Sequence, residues 1–257
     1  MFKMYVGDVM TKDPVCVKPD DFITKVRSIM RDYGFRALPV VDDGRLIGII
    51  SRGDVLRVTS RKTNILVNGL MSENVVTACP DDDIFETARK MIGSGVRQLP
   101  VVENGKIIGI ITSKNILSEF VKREYKPVKK KVRDVMTEDV IFCNSEDEIS
   151  KIWDKMYSSG YSGLPVLKKG KVIGMITRMD IIREGSIMLS KESGKIRNAS
   201  IKKVQRTPAI TTSPESSIID TAERMIENNI TRLPVVDEEN RLTGIVDIAD
   251  ILKAYIG

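Results

Sequence analysis

Apolar residues Ile23, Val26 and Met30 recur at steps of three and four, which places them on one face of a helix. Gly34 stops that helix. Ala37 to Val41 then reads as a strand, Asp42-Asp43-Gly44 as a turn, and Leu46 to Ile50 as a second, fully apolar strand. A second helix follows, from Asp54 to about Ser60. Ahead of all this, Met10 to Val17 is a turn leading into a short extended run, and Lys18-Pro19-Asp20-Asp21 is expected to open the first helix, with its acids at the positive end.

The chain writes this succession four times, and self-similarity at such a period sets the unit of the fold. Leu-Pro-Val recurs at 38–40, 99–101, 164–166 and 233–235. From the proline to the following Gly48, Gly109 or Gly174 is nine residues; from Pro234 to Gly244 it is ten. The extra residue falls in the turn Glu238-Glu239-Asn240, where insertion costs least. Four residues before each key leucine stand Gly34, Gly95, Gly160 and Asn229, the residue types that best tolerate a left-handed helix cap. Asn104-Gly105 is a two-residue hairpin turn. Met30, Met91, Met156 and Met225 hold one helical position, read as core.

Each unit is therefore β-α-β-β-α, and the fold class is α/β (α+β). One copy alone leaves an apolar sheet face uncovered, so copies are expected to pair through it. The expected boundaries are 7–60 for repeat 1, 68–121 for repeat 2, 122–132 for a basic linker, 133–185 for repeat 3 and 200–257 for repeat 4. Between repeats 3 and 4 lies an insert, about Gly185 to Ser200, with no clear signal. The linker is charged and broken by Pro127, so it divides the chain into halves and should tolerate a cut at Lys126 to Lys131.

Composition narrows the picture further. With 257 residues, 42% apolar and 30% charged, the chain reads as soluble and globular, and no apolar run approaches the ~20 residues of a membrane span. The start, Met1 to Tyr5, lacks the apolar core of a signal peptide. Cys16, Cys79 and Cys143 are far apart, which points to free thiols in a cytoplasmic setting and gives no metal motif. Histidine is absent altogether, which removes the commonest general base and every Ser-His or Cys-His pair, so no enzyme is expected and catalytic residues are none. The net charge of +6 favours anionic partners without choosing among them.

The recurrent chemistry follows the second strand. Ser51, Thr112, Thr177 and Asp247 sit between strand and helix, with Asp54, Asn115, Asp180 and Asp250 three residues on. This spacing is a capping box with a shorter acid, which by itself accounts for all four copies. The same arrangement also makes an anion site with an acid able to hold the two hydroxyls of a ribose. Capping does not explain the arginines before the Leu-Pro-Val, Arg36, Arg97 and Arg232. A repeated arginine beside a repeated cap and carboxylate reads as a divided nucleotide site, with arginine on phosphate.

Gly34 to Val40 together with Gly48-Ile-Ile-Ser-x-x-Asp54 resembles the CBS domain, and the resemblance covers essentially the whole chain as four copies in two tandem pairs. It implies a flat, pseudo-symmetric disc that binds adenine nucleotides, or S-adenosylmethionine, in clefts between repeats. Four copies in one chain are similar to the γ regulatory subunit of AMP-activated protein kinase and its stand-alone prokaryotic relatives. By that resemblance Asp54, Asp180, Asp250 and Asn115 would hold ribose, and Ser51, Thr112, Thr177, Arg36, Arg97 and Arg232 would reach phosphate. The implied role is a non-catalytic sensor of AMP, ADP or ATP, without cofactor, that reports to a protein partner or by forming a homodimer. Three departures bear on this: Asn115 lacks the charge, Asp247 replaces the hydroxyl, and Ser162-Gly163 stand where other repeats carry arginine. The rival reading is a nucleic-acid-associated protein that uses the basic linker and surface.

Overall fold

The computed structural model describes residues 3–58, 64–184, 201 and 208–257; the insert expected at about 185–200 lies outside the described residues. The elements in chain order are α1 (Val6–Val9), β1 (Thr11–Lys12), α2 (Ile23–Tyr33), β2 (Ala37–Asp42), β3 (Arg45–Ser51), α3 (Arg52–Arg57), α4 (Ile84–Gly93), β4 (Gln98–Glu103), β5 (Lys106–Thr112) and α5 (Ser113–Lys122). They continue as β6 (Cys143–Asn144), α6 (Ile149–Ser159), β7 (Gly163–Lys168), β8 (Lys171–Thr177), α7 (Arg178–Glu184), α8 (Ile218–Glu227), β9 (Arg232–Val236), β10 (Leu242–Asp247) and α9 (Ile248–Ile256).

Local chemistry repeats faithfully. Gly34, Gly95, Gly160 and Asn229 all adopt left-handed backbone, at φ 73°, 66°, 74° and 52°. Asp43-Gly44, Asn104-Gly105 and Lys169-Gly170 each carry two positive φ values, the type I′ geometry that matches strand twist. The four methionines of the first helices are buried, as are Ile23 and Val26. The opening of α2 departs from expectation. Asp21 turns its carboxylate back onto the Lys18 amide at 2.8 Å, so the acids precede the helix, which begins only at Ile23. The expected first strand is also shorter, reduced to single parallel bridges Val17–Val40, Ala78–Val101 and Thr212–Val235, with β6 its fullest form.

In repeats 1, 2 and 3 the leading segment does not lie on its own sheet. Thr11 and Lys12 of repeat 1 pair antiparallel with Ile110 and Gly109 of repeat 2. Ser72 of repeat 2 pairs with Ile49 of repeat 1, and Thr137 of repeat 3 with Ile245 of repeat 4. Repeats 1 and 2 thus exchange arms and repeat 3 lends one to repeat 4, and a methionine at the tip of each of these arms (Met10, Met71, Met136) covers the glycine of the receiving strand. Ile201, at the start of repeat 4, is buried in the core of repeat 3.

The chain forms two compact units, each from non-contiguous segments: Met1–Pro14, Val76–Val140 and Ile210–Gly257 in one, Val15–Val75 and Ile141–Ala209 in the other. The first holds repeats 2 and 4, the second repeats 1 and 3. Within each unit the two repeats meet through helices. In the first, α4 and α5 pack on α8 and α9. In the second, α2 and α3 pack on α7. The reason is that both helices of a copy present wide apolar stripes, as with Ile116, Leu117 and Phe120 on α5.

The interiors differ. Repeats 2 and 4 share one continuous core, centred on Phe120, whose ring stacks on Phe85 at 4.8 Å and meets Tyr125 at 5.5 Å and Tyr255 at 5.3 Å. Among the described residues repeats 1 and 3 form two clusters, with Leu56 of repeat 1 reaching into that of repeat 3. The basic connector is held to the first unit: the Val128 and Lys129 amides donate to the Ala254 carbonyl at 2.7 and 3.2 Å, and Lys131 and Arg133 both bind Glu215.

Candidate functional site

The capping boxes read from the spacing are formed in every copy. The Asp54 carboxylate accepts from the Ser51 amide at 2.9 Å and from its hydroxyl at 2.6 Å. Asn115 accepts from the Thr112 amide at 3.0 Å and from its hydroxyl. Asp180 accepts from the Thr177 amide at 2.8 Å and hydroxyl at 2.5 Å. Asp250 accepts from the Asp247 amide at 2.9 Å. These bonds pin each of the four side chains against the strand end and fix its direction. Because α3 and α7 are short, the hydroxyl and the carboxylate carry the chemistry there, rather than a helix dipole.

The strand registers correct the arginine set. The amides that follow the caps (Arg52, Ser113, Arg178, Ile248) each donate at 3.0 Å to the carbonyls of Arg36, Arg97, Ser162 and Thr231, respectively. Those four residues are therefore equivalent. Arg232 lies one place further on, equivalent to Ala37, Gln98 and Gly163, which pair across the hairpin with Ser51, Thr112 and Thr177 as Arg232 does with Asp247. Since strand residues alternate in direction, a shift of one sends the side chain elsewhere. The sequence pattern had placed all three arginines in one role.

Two of them nevertheless converge. Arg232 reaches Asp247 Oδ2 at 3.3 Å from across its own hairpin, and Arg97 of repeat 2 reaches the same oxygen. The three side chains are 12%, 28% and 16% exposed for Arg232, Arg97 and Asp247. Burial works against the charge on Asp247, but Arg97 and Arg232 outweigh it and hold the carboxyl below the usual aspartate range. Burial lowers the Arg232 pKa, and the neighbouring Arg97 adds to this. Asp250 is shifted the other way, raised by burial and then by the charge of Asp247. Arg36 stands half-buried just before β2.

Arg52 and Arg178, directly after the hydroxyl residues of repeats 1 and 3, escaped the motif reading. Arg52 donates to the carbonyls of Phe35, at 2.8 Å, and Gly34, and Arg178 to those of Met156 and Gly160 at 3.0 and 3.3 Å. Both bind the C-terminal end of the repeat's first helix, where cations are favoured. A methyl group at Gly53 would lie 3.3 Å from Arg178 Nη1, so repeat 3 reaches over the start of α3 in repeat 1. The signal was present as Ser-Arg and Thr-Arg in two copies only. Among the described residues no group of three or more Cys, Asp or Glu could hold a metal ion, and no helix is long and apolar enough to cross a membrane.

Protein MJ1404 of Methanocaldococcus jannaschii is 33% identical over 96% of the chain, which spans 61% of that relative's length. Protein MJ1225 of the same organism is 27% identical over 99% of the chain and its own full length. The crystal structure of MJ1225, described as that of a candidate archaeal homologue of γ-AMPK, covers 97% of the chain at a TM-score of 0.87 and 26% identity. A conserved protein from Pyrococcus horikoshii shares the fold at a TM-score of 0.70 and 22% identity. The CBS domain description matches at residues 6–61, 67–122, 132–186 and 201–257, so the strand-helix-strand-strand-helix copies seen here are CBS domains and the chain belongs to that family.

Proposed function

We propose that the chain is a non-catalytic regulatory sensor that binds adenine nucleotides and passes their occupancy to a protein partner. The observation that carries this reading is the intact hydroxyl–carboxylate pair in both repeats of one unit, Ser51 with Asp54 and Thr177 with Asp180. A carboxylate oriented by its own cap is a fixed acceptor for vicinal ribose hydroxyls, and preorganisation of that kind lowers the cost of binding. The similarity to MJ1225, described as a candidate γ-AMPK homologue, supports a nucleotide of the AMP, ADP or ATP series. S-Adenosylmethionine, with the same ribose and no phosphate, is the competing ligand. The basic connector gives nucleic acid little support, because Lys131 and Arg133 are engaged with Glu215.

Calorimetric titration of the full chain with AMP, ADP, ATP and S-adenosylmethionine tests the reading, beside melting curves without ligand. Asp54→Ala and Asp180→Ala should each weaken AMP binding about tenfold or more at one class of sites, the effect of losing a hydrogen bond to a charged group. Asn115→Ala should do much less. All three should also lose about 1 kcal/mol of stability through their caps. Equal melting losses with unchanged affinity in Asp54→Ala and Asp180→Ala would refute the ribose assignment.

A further inference from the structure

We infer that Asp247 is an internal substitute for phosphate, which makes the unit of repeats 2 and 4 select against phosphorylated ligands. This deepens the nucleotide reading and rests on it for the kind of ligand, though not for the anion site itself. Arg97 and Arg232 come from different repeats, at non-equivalent positions, yet both end on the same carboxylate oxygen. Two guanidinium groups around one oxyanion is the arrangement by which proteins hold phosphate.

The cluster is complete without a ligand. The two arginines are matched in formal charge by Asp247 and Asp250, and an arriving phosphate must displace a carboxylate fixed at both ends. Asp247 is held by its own strand and by capping: its Oδ1 accepts the Ala249 amide at 2.8 Å while Oδ2 takes the arginines. Arg97 Nε is buried with no hydrogen-bond partner among the described residues, a donor that this short carboxylate does not reach. A tetrahedral phosphate offers a third oxygen. The corresponding positions in the other repeats, Ser51, Thr112 and Thr177, carry a neutral hydroxyl.

The test uses the full chain with Asp247→Thr, which restores the hydroxyl of Thr112 and Thr177 and can still cap α9, and with the nearly isosteric Asp247→Asn. Melting temperatures are compared in inorganic phosphate and in chloride at equal ionic strength. Both variants should melt lower than the parent in chloride, because Arg97 and Arg232 lose the carboxylate they share. Phosphate should restore them, and bind about tenfold or more tighter than to the parent. Adding Arg97→Gln to Asp247→Thr should abolish the response, and AMP stoichiometry in Asp247→Thr should rise by one per chain. Equal phosphate response in parent and variants would overturn the inference, as would failure of both variants to fold in either anion. If the parent binds no adenine nucleotide yet phosphate rescues Asp247→Thr, the nucleotide reading falls and the internal anion stands. If the parent binds AMP through Asp54 and Asp180 but no rescue occurs, only the inference falls.

Discussion

Met10 lies on the bare backbone of Gly109: a methyl group added there would overlap the Met10 sulfur and sit 3.0 Å from the Thr11 carbonyl. The glycine is needed for closeness, not for an unusual φ. The same contact recurs as Met71 on Gly48 and Met136 on Gly244. Gly48, Gly109 and Gly244, each three residues ahead of a capping residue, are thus seats of a neighbour's arm, apart from any ligand.

Gly109→Ala should therefore destabilise the chain by about 1–3 kcal/mol, the range for overpacking a tight contact. Adding Met10→Ala should recover part of the loss, since the flexible thioether supplies the worst overlap. Chemical denaturation of the two variants and the double variant measures the coupling. Additive losses would mean that Met10 does not rest on Gly109 in solution.

Tyr255 sets the alkaline limit. Its hydroxyl is buried with no hydrogen-bond partner among the described residues, and burial, assisted by Glu223, raises its pKa to about 12 from 10.0. The neutral phenol is favoured by folding, so its contribution is intact below the unfolded pKa and is lost as pH climbs from about 10 towards 12. Tyr255→Phe should flatten that alkaline decline and add about 1 kcal/mol near neutral pH by removing an unsatisfied polar group. Melting curves from pH 7 to 11 decide; an unchanged alkaline arm would place the tyrosine in water.

Residues 1–125 alone should keep helical structure but self-associate. The fragment loses α8 and α9, the partners of α4 and α5, and leaves the stripe of Ile116, Leu117 and Phe120 without its cover. Co-expressed 132–257 should rescue it as a one-to-one complex. Sedimentation at several concentrations reads the outcome; a stable monomer of 1–125 would show that the tandem half folds by itself.

How legible all this was in the sequence depends on the range of the interaction. Left-handed caps at Gly34 and Asn229, the Asn104-Gly105 turn and the Ser51–Asp54 box are settled within four residues, so their types announce them. The resemblance to CBS domains held because it rests on such local signals repeated four times. Arg97 and Asp247 are 150 residues apart, and nothing in either motif names the other. The one-place offset of Arg232 from Arg36 and Arg97 was visible in the letters, but its meaning depends on which way a strand residue points. The exchange of arms left only a trace, the methionines at 10, 71 and 136, each just ahead of a Thr or Ser.

The scattered make-up of the two units has a consequence for synthesis. A ribosome delivers repeat 1 first, yet its unit also draws on residues 141–209, and the other unit joins residues 1–14 to residues 210–257. Neither can close while the chain is half made. The arm at Thr11 must wait for Gly109 to emerge, and the apolar side of α5 waits longer still for α8 and α9. Domain-by-domain folding during translation, the usual protection of a long chain, is thus denied to this one. The nascent protein carries Phe120 and its neighbours uncovered until α8 and α9 have been made.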